Sequence, residues 1–425
     1  MIPKLDIDFV RAQFPALTKG QYKDVAFFEN AGGTYVPKHV IEHLDKFLIE
    51  SKVQPYAPYP MSEMATDAIE QSTVKMAEMI NADASEIIIG HCTTMNLYVL
   101  SMALMGWLKP GDEIIISNQD HEANISPWRR LKKNGVIIRE WCLQKETGEL
   151  LIDDLSVLLS NKTKLVCMPH SSNIIASVND VKQVADLVHD KNALLLVDGV
   201  SYAPHHDIDV KALSVDVYVL SLYKVFGPHL GLMYVNESHH DKLVNQSLEF
   251  MPELYSGITG AGAPNYLRIA LNPGLVNHEE VASLQGLVEY FECLYFHHFN
   301  KQADTFHECI KDVFELIVQH ETELAECFLE NIESSPNIKL IGRVNSNINK
   351  RSPTYCLQIN NDKTPKENTA LLAEKNIAAQ SGSFYAWRCL KEIGIDPATG
   401  PLRVSMVHFN TIDEVERLNF AINSL

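Results

Sequence analysis

Two residues of opposite charge follow neighbouring predicted strands of this sequence. Asp198 lies at the end of the apolar run ALLLVDG, and Lys224 follows the next run, VDVYVLS, in a Tyr-Lys-Val-Phe-Gly-Pro turn. In an open α/β sheet, ligands bind outside the carboxyl ends of the strands, so we expect both side chains at one crevice. An apolar pocket lowers the pKa of a lysine ammonium and frees the amine for Schiff-base chemistry. The pair therefore predicts amine chemistry at one edge of a sheet.

Pyridoxal phosphate is a cofactor that needs such a pair. It requires a lysine for its aldehyde, an acid that keeps the pyridine nitrogen protonated, a partner stacked on the ring and a cradle for the phosphate. Asp198 is the candidate acid. Thr93 and Thr94 open a predicted helix after the strand EIIIG, where free N–H groups and the helix dipole suit an anion. His121 in DHEAN, just past the strand DEIIIS, is the candidate ring partner.

Each of these residues, taken alone, also has an ordinary structural explanation. An aspartate at a strand end, or a Thr pair that opens a helix, is commonly a cap. A histidine beside an aspartate is commonly solvated or capping. Their shared position at the strand ends of one predicted sheet favours a common site.

Seven short apolar runs alternate with helical patterns between about residues 85 and 235. The runs are EIIIG, DEIIIS, GVIIREWCL, KLVCMP, ALLLVDG, VDVYVLS and GLMYV. The helical segments lie near residues 93–107, 124–133, 180–190 and 208–213. Near-continuous apolar strands between helices predict an α/β fold with a mostly parallel sheet of seven strands, buried on both faces.

The pattern changes to long helix over residues 278–332, and short strands mixed with helices follow it. This change predicts a smaller α+β domain at the C-terminus. We therefore divide the chain into an N-terminal segment, 1–25, that packs on the small domain, a large cofactor-binding α/β domain, 26–290, and the small domain, 291–425.

Composition indicates an ordinary globular protein. Of 425 residues, 46% are hydrophobic and 21% charged, and the net charge of −18 makes nucleic acid and anionic membranes poor partners. We see no apolar run of the roughly 18 residues that a membrane span needs and no secretory signal, so we expect a cytoplasmic protein. The eight cysteines are scattered and have no metal-binding spacing, which predicts reduced thiols and no metal site.

A series of motifs resembles the class V aminotransferase family, and within it most closely the cysteine desulfurase-like group. The motifs are FFENAGGTYVP, TTMN, DHEANISPW, HSSNIIASVND, VDGVSYAPHHDIDV, SLYKVFGPHLG, LNPGLVNHEE and LRVSMVHFNT. They occur in the family's order over nearly the whole chain. The resemblance implies a fold-type I enzyme with pyridoxal 5'-phosphate at the interface of a homodimer and an amino acid as its substrate.

The resemblance also implies a role for each matching residue. Lys224 matches the Schiff-base lysine, Asp198 the partner of the pyridine nitrogen, and His121 the ring stacked on the cofactor. The other cofactor contacts that it implies are Thr93, Thr94, Asn173, Ser201, Ser221, Tyr223 and Gly274. Arg403 matches the arginine that binds the substrate α-carboxylate, for which a planar guanidinium offers a two-point grip, and Asn30 is assigned to the same carboxylate.

Four positions depart from the desulfurase pattern. Tyr223 stands where desulfurases have a histidine before the lysine, and Ser201 stands where they often have Gln or His three residues after the aspartate. Gly274-Leu275 replaces the Gly-Thr that the partner subunit contributes to the phosphate site. Gln380 replaces the arginine before the active-site loop. A tyrosine before the lysine can still donate a hydrogen bond, but it does not titrate near neutral pH.

The sulfur-accepting cysteine of desulfurases has no counterpart in the matching loop, SGSFYAW. Cys389 lies close by, but SFYAWRCLKEIG has helical spacing, with Phe384, Trp387, Leu390 and Ile393 on one face. We expect Cys389 inside a helix, where a buried thiol is usually inert packing, so Cys389 is the less favoured candidate for a sulfur acceptor.

Several functions remain open on these motifs. The leading interpretation is a cysteine desulfurase-like enzyme that cleaves the C–S bond of cysteine or a derivative, with Lys224 as the general base and a partner protein as a further sulfur acceptor. An epimerase, an aminotransferase or a β-lyase would use the same scaffold. A nucleotide-binding oxidoreductase would need a glycine-rich turn after EIIIG, which is not there. A non-catalytic scaffold would have no need for Lys224, Asp198, His121 and Arg403 together.

Overall fold

The computed structural model describes residues 3–251 and 266–425. The strands of this part are β1 (Ala26–Phe27), β2 (Ile87–Gly90), β3 (Glu113–Ser117), β4 (Ile137–Trp141), β5 (Thr163–Pro169), β6 (Leu194–Asp198), β7 (Val217–Ser221), β8 (Gly231–Val235), β9 (Ile338–Leu340), β10 (Thr354–Ile359), β11 (Ile377–Ala378), β12 (Gln380–Ser381) and β13 (Leu402–Ser405).

The α-helices of the same residues are α1 (Ile7–Ala12), α2 (Pro15–Thr18), α3 (Lys38–Glu50), α4 (Pro60–Met79), α5 (Thr93–Ala103), α6 (Ser126–Arg130), α7 (Ile152–Leu158), α8 (Val181–His189), α9 (Val210–Leu213), α10 (Tyr266–Ala270), α11 (His278–Phe299), α12 (Phe306–Ser334), α13 (Pro365–Glu374), α14 (Trp387–Glu392) and α15 (Ile412–Asn423). Short 3-10 helices lie at Ala84–Glu86, Leu104–Gly106, Glu122–Asn124, Leu131–Asn134, Leu222–Lys224 and Glu237–Lys242.

A seven-stranded sheet in the order β2-β8-β7-β6-β5-β3-β4 forms the centre of the larger part of the molecule. β8 is antiparallel to both of its neighbours, and the other pairs are parallel. β8 begins ten residues after β7 ends, which is too short a connection for the crossover that a parallel pair requires. The predicted fold class, a mostly parallel seven-stranded sheet between helices, is confirmed.

The central strands are buried along their whole length. Every residue of β6 and β7 is buried, and their sequences, LLLVD and VYVLS, lack the polar alternation of a strand with one solvated face. Full burial of a valine or leucine side chain contributes about 1.5–3 kcal/mol, so these strands form a rigid support. Their carboxyl ends, at Asp198 and Ser221, are therefore fixed in position.

A second sheet, β12-β13-β10-β9, is antiparallel and belongs to the smaller C-terminal region. Its strand β13 sets Arg403 opposite Cys356 of β10 and Gln380 of β12. The chain just after β1 runs beside the same strand, with a backbone bridge between Glu29 and Ser405. This bridge brings the segment after β1 and the C-terminal region together at one edge of the site. The division at residues 25 and 290 stays a prediction.

The helix predicted over SFYAWRCLKEIG is shorter than its spacing indicates, because α14 begins only at Trp387. Phe384 and Tyr385 instead have left-handed backbones, with φ of 49° and 56°. The Phe384 ring lies 3.7 Å from the Arg403 guanidinium, and the Tyr385 carbonyl accepts a hydrogen bond from the amide of Glu122 at 2.8 Å. These tertiary contacts outweigh the helical pattern, so Phe384 does not share a helix face with Trp387.

Within residues 3–251 and 266–425, no helix is long and apolar enough to cross a membrane.

Candidate active site

A cleft opens at the carboxyl ends of the central strands. Its inner part is lined by Thr93, Thr94, Asp120, His121, Ser171, Asn173, Asp198, Ser201, Ser221, Tyr223 and Lys224. Its outer part shares several of these residues and adds Glu29, Gly32, Tyr98, Glu122, Phe384, Tyr385 and Arg403. Most of the residues that the sequence predicted for the site therefore line one continuous cleft.

Lys224 lies in the 3-10 turn that follows β7 and lines both parts of the cleft. Its amine has no hydrogen bond or ion pair with any other residue that the structure describes. Burial, with a further contribution from the charge of Arg403, lowers the pKa of Lys224 to about 8, against an opposing effect of Asp198. A substantial fraction of this amine is therefore neutral near physiological pH.

Asp198 is the last residue of β6 and is 5% exposed. One carboxylate oxygen accepts a hydrogen bond from the amide of Val200 at 2.9 Å. Burial raises the pKa of Asp198, and the positive charge of Lys224 offsets part of that rise. The carboxylate would be stabilised by a cationic partner bound in the cleft.

Asp120 is a second buried acid in the inner part. Its two oxygens accept from the amide of His121 at 2.7 Å and from the Asn124 side chain at 2.8 Å. Burial raises the pKa of Asp120, and the charge of Asp198 raises it further. Asp120 thereby fixes the loop that carries His121.

His121 is held as a neutral ring. Its Nδ1 accepts a hydrogen bond from the amide of Ala123 at 3.0 Å, which leaves Nε2 as the protonated nitrogen. Burial lowers the pKa of His121 to about 3, and the charges of Lys224 and Arg403 contribute. The ring lies 5.5 Å from that of Tyr385, centroid to centroid, and forms one wall of the cleft.

The N-terminus of α5 closes the inner end of the cleft. Thr93 Oγ1 donates to the carbonyl of Leu220 at 2.7 Å and lies 2.8 Å from Ser221 Oγ. Gly231 permits this approach, because a Cβ there would lie 2.3 Å from the Thr93 amide nitrogen. The first amides of α5, the hydroxyl of Ser221 and the exposed Thr94 thus surround a position suited to an anion.

Asn173 and Ser201 occupy the remaining wall. The Asn173 side chain donates to the carbonyl of Phe384 at 2.8 Å, while its Oδ1 is buried without a hydrogen-bond partner among the described residues. Ser201 lines the inner part three residues after Asp198. Tyr223 stacks on His229 with a centroid distance of 4.7 Å.

Arg403 carries the positive charge of the outer part and is 3% exposed. Its Nη2 donates to Glu29 Oε1 at 3.0 Å, and its guanidinium is covered by the ring of Phe384. Burial raises the pKa of Glu29, although the charges of Arg403 and Lys224 partly oppose this rise. The guanidinium is held firmly and at the same time is already paired with an acid.

Three residues predicted for the site are not part of the cleft in this chain. The Asn30 side-chain nitrogen donates to the carbonyls of Phe27 and Ser405 and to Asn410, and Asn30 does not line the cleft. Gly274, which the resemblance assigns to the cleft of the partner subunit, does not line the cleft of its own chain. Cys389 is fully buried in α14, packed among apolar residues, and burial raises the pKa of its thiol.

The cleft also contains residues that the sequence did not predict for it, among them Glu29, Asp120, Phe384 and Tyr385. The signal for Glu29 was present in FFENAGG, an acid directly after a short apolar run, and Asp120 stands next to His121. The described residues contain no group of three or more His, Cys, Asp or Glu side chains that could hold a metal ion.

Comparison with known proteins identifies the family of this chain. The family model for class-V aminotransferases matches residues 26–418. The aminotransferase-like protein FGM3 of Gibberella zeae is 33% identical, over 98% of this chain and 97% of that protein. The cysteine desulfurase-like protein ustD of Aspergillus flavus is 30% identical, over 97% of this chain and 88% of that protein. The apo structure of a cysteine desulfurase from Thermococcus onnurineus matches with a TM-score of 0.83 at 23% identity, covering 98% of this chain and 97% of that one, and supports the fold.

Proposed function

The chain belongs to the class-V aminotransferase family of pyridoxal-phosphate-dependent enzymes, and from this premise we propose that it cleaves the C–S bond of cysteine or a cysteine derivative. One observation carries the proposal. Lys224, Asp198 and Arg403 line a single cleft. The unpaired amine of the lysine suits the cofactor aldehyde, the buried aspartate suits the ring nitrogen, and the buried arginine suits the substrate carboxylate.

The inner part of the cleft fits pyridoxal phosphate. Lys224 would hold the aldehyde carbon, because its amine has a lowered pKa and no other described partner. Asp198 would hold the protonated ring nitrogen, which supplies the cation that its buried carboxylate lacks. The amides at the start of α5, with Thr93, Thr94 and Ser221, would hold the phosphate. The second proton of the Asn173 side-chain nitrogen and the hydroxyl of Ser201 are available to donate to the ring oxygen.

The residues of the outer part would bind and orient the substrate. Arg403 would bind the α-carboxylate, and the ring of Phe384, stacked on the guanidinium, would fix its orientation. When bound, pyridoxal phosphate supplies an electron sink for negative charge at the substrate α-carbon. Lys224 would take the proton from that carbon and pass a proton to the departing sulfur, for which an amine with a pKa of about 8 is well suited. The neutral ring of His121 covers the site without adding charge.

The cleft contains no thiol to receive sulfur. None of the eight cysteines lines it in the part of the chain that the structure describes, and Cys389 is buried in α14. We therefore propose that sulfur leaves the β-carbon directly, as sulfide or a thiol. The remaining three-carbon fragment takes up one water molecule and leaves as pyruvate and ammonia, whereas transfer of sulfur to a protein thiol would give alanine and a persulfide.

Product analysis tests this proposal. Purified holoenzyme is incubated with cysteine, and sulfide, pyruvate, ammonia and alanine are quantified with and without dithiothreitol. We expect equal amounts of sulfide and pyruvate, independent of the reductant. Reductant-dependent formation of alanine would support a persulfide route instead. Turnover of other amino acids with no sulfide from cysteine would show that the protein is an epimerase, an aminotransferase or a lyase of another bond.

The proposal extends to the assembly. We propose a homodimer in which Gly274 reaches the cleft of the second copy, since it does not line the cleft of its own chain. Direct release of sulfur removes the need for a sulfur-acceptor protein. The cytoplasmic location stays a prediction.

A further inference from the structure

The carboxylate of Glu29 is paired with the guanidinium of Arg403, which is the group that we propose binds the substrate carboxylate. Arg403 Nη2 donates to Glu29 Oε1 at 3.0 Å, and among the described residues this is the one ion pair of the guanidinium. Arg403 is almost fully buried, so bulk water offers it no substitute. The inference below rests on the proposed function, because it takes Arg403 as the carboxylate-binding residue.

The pair is incomplete on both sides. Arginine and a carboxylate commonly form two parallel hydrogen bonds, but here they form one. Glu29 Oε2 and Arg403 Nε are both buried, and neither has a hydrogen-bond partner among the described residues. A buried donor and a buried acceptor therefore remain unsatisfied in the cleft, which weakens the pair relative to one that satisfies both.

The backbone holds Glu29 next to Arg403 without the help of this bond. The backbone of Glu29 bridges to Ser405, two residues beyond the arginine. Its side chain lies over Gly32, where an added Cβ would lie 2.3 Å from Glu29 Oε1. Loss of the ion pair would therefore leave Glu29 close to a substrate bound at Arg403.

The charges around Glu29 determine what happens when a second carboxylate arrives. The ionisable groups near it are Arg403 of β13, Lys224 of the turn after β7, Cys356 of β10, and His121 and Glu122 of the opposite wall. Burial already raises the pKa of Glu29, and the two cations offset this only in part. A substrate carboxylate would add a negative charge beside the same arginine, which favours the protonated form of Glu29 further.

We propose that Glu29 occupies the carboxylate position of Arg403 in the free protein, and that a carboxylate ligand binds by replacing it. The bond from Arg403 to Glu29 breaks, a bond from Arg403 to the ligand forms, and Glu29 takes one proton from solvent. Glu29 thereby sets the affinity of the site for small carboxylates and makes that affinity depend on pH. It is a positioning and specificity-determining residue and need not touch the reacting carbon.

Binding of propionate tests the proposal, because propionate has a carboxylate but no amine to react with the cofactor. Calorimetric titration of the holoenzyme at pH 6 to 8.5, in two buffers of different ionisation enthalpy, gives the affinity and the protons taken up. We expect proton uptake by the unaltered protein and an affinity that falls as pH rises, because ionised Glu29 competes for Arg403.

In Glu29→Gln, the affinity for propionate should rise about tenfold and lose its pH dependence, a size typical of coupling between two sites. Glu326→Gln, which removes an exposed charge from α12, should behave as the unaltered protein.

Two results would overturn the inference. Weaker binding of propionate by Glu29→Gln would mean that Glu29 orients Arg403 rather than competing for it. Absence of proton uptake by the unaltered protein would exclude the exchange even if the variant failed to fold. Arg403→Gln separates the two levels of the argument: it should abolish propionate binding, and full binding without Arg403 would refute the carboxylate assignment of the proposed function as well.

Discussion

Burial shifts the pKa values of Lys224 and Asp198 in opposite directions, and each shift favours the neutral form of the residue. It lowers the pKa of the Lys224 ammonium and raises that of the Asp198 carboxyl, because removal from water disfavours charge of either sign. Their mutual attraction works against both shifts. The neutral amine of Lys224 can react with the aldehyde of pyridoxal phosphate, and the carboxylate of Asp198 can pair with its protonated ring nitrogen.

The lowered pKa of Lys224 gives a prediction on the apoprotein. Only the neutral amine attacks an aldehyde, so the rate of pyridoxal phosphate attachment should rise with pH and level off above about 8. Stopped-flow absorbance measures this rate. In Asp198→Asn the midpoint should move to lower pH, because the charge of Asp198 raises the pKa of Lys224. A midpoint near the ordinary lysine value of 10.5 would contradict this account.

The local sequence predicts those site residues that directly follow a strand. It does not predict residues whose place in the site depends on a contact with a distant part of the chain. Lys224, Asp198 and His121 each stand just past an apolar run, and the cleft contains all three. The pairing of Glu29 with Arg403 joins positions 374 residues apart, and no local pattern reports such a contact. Asn30 was assigned from its motif alone, whereas its amide holds the backbone around β1 and Ser405.

At the scale of elements, the segment before α14 shows how tertiary contacts override a helical pattern. Left-handed φ values at two successive non-glycine residues have a cost of about 1–2 kcal/mol each. The stacking of Phe384 on Arg403 and the hydrogen bond to Tyr385 offset it. The loop that would carry a sulfur-accepting cysteine in a desulfurase therefore forms a wall of the cleft instead.

The burial of Cys389 in α14 leads to a second prediction. Cys389→Ala should keep turnover within about twofold and lower the free energy of unfolding by about 1 kcal/mol, as does loss of one methyl-sized buried group. Steady-state kinetics and thermal unfolding measure the two effects. Cys142→Ala, which alters an exposed thiol, serves as the control and should change neither. Loss of activity with unaltered stability would assign a chemical role to Cys389.

At the scale of the whole molecule, the fold class followed from the runs of apolar residues, but strand order did not. The sequence contains strand–helix units, which favour parallel pairing, and it does not report that β8 inserts between β2 and β7. The order arises from packing across the complete sheet.

An exposed apolar segment is the surface at which we expect the second copy of the proposed homodimer to pack. Tyr56, Tyr59, Met61 and Met64 lie within nine residues, and each is between 39% and 60% exposed. Grouped apolar side chains of this size commonly mark an interface. We name these four residues the α4 patch.

A charge in the α4 patch should weaken the dimer. Light scattering coupled to size exclusion should give twice the chain mass of 47.8 kDa, and Met64→Glu should shift the protein toward monomer and lower its affinity for the cofactor. Val157→Glu places the same charge at a residue of α7 that is 85% exposed and should leave the dimer intact. A monomer in the unaltered protein at micromolar concentration would refute the proposed assembly.

The most direct test of the central claim is the absorbance of the purified protein after addition of pyridoxal phosphate, with and without Lys224. The account predicts a band near the edge of the visible spectrum that survives gel filtration, is fixed to the peptide containing Lys224 by borohydride, and is absent from Lys224→Ala. A protein that gains no such band, or a Lys224→Ala variant that keeps it with the label on another lysine, would contradict the account.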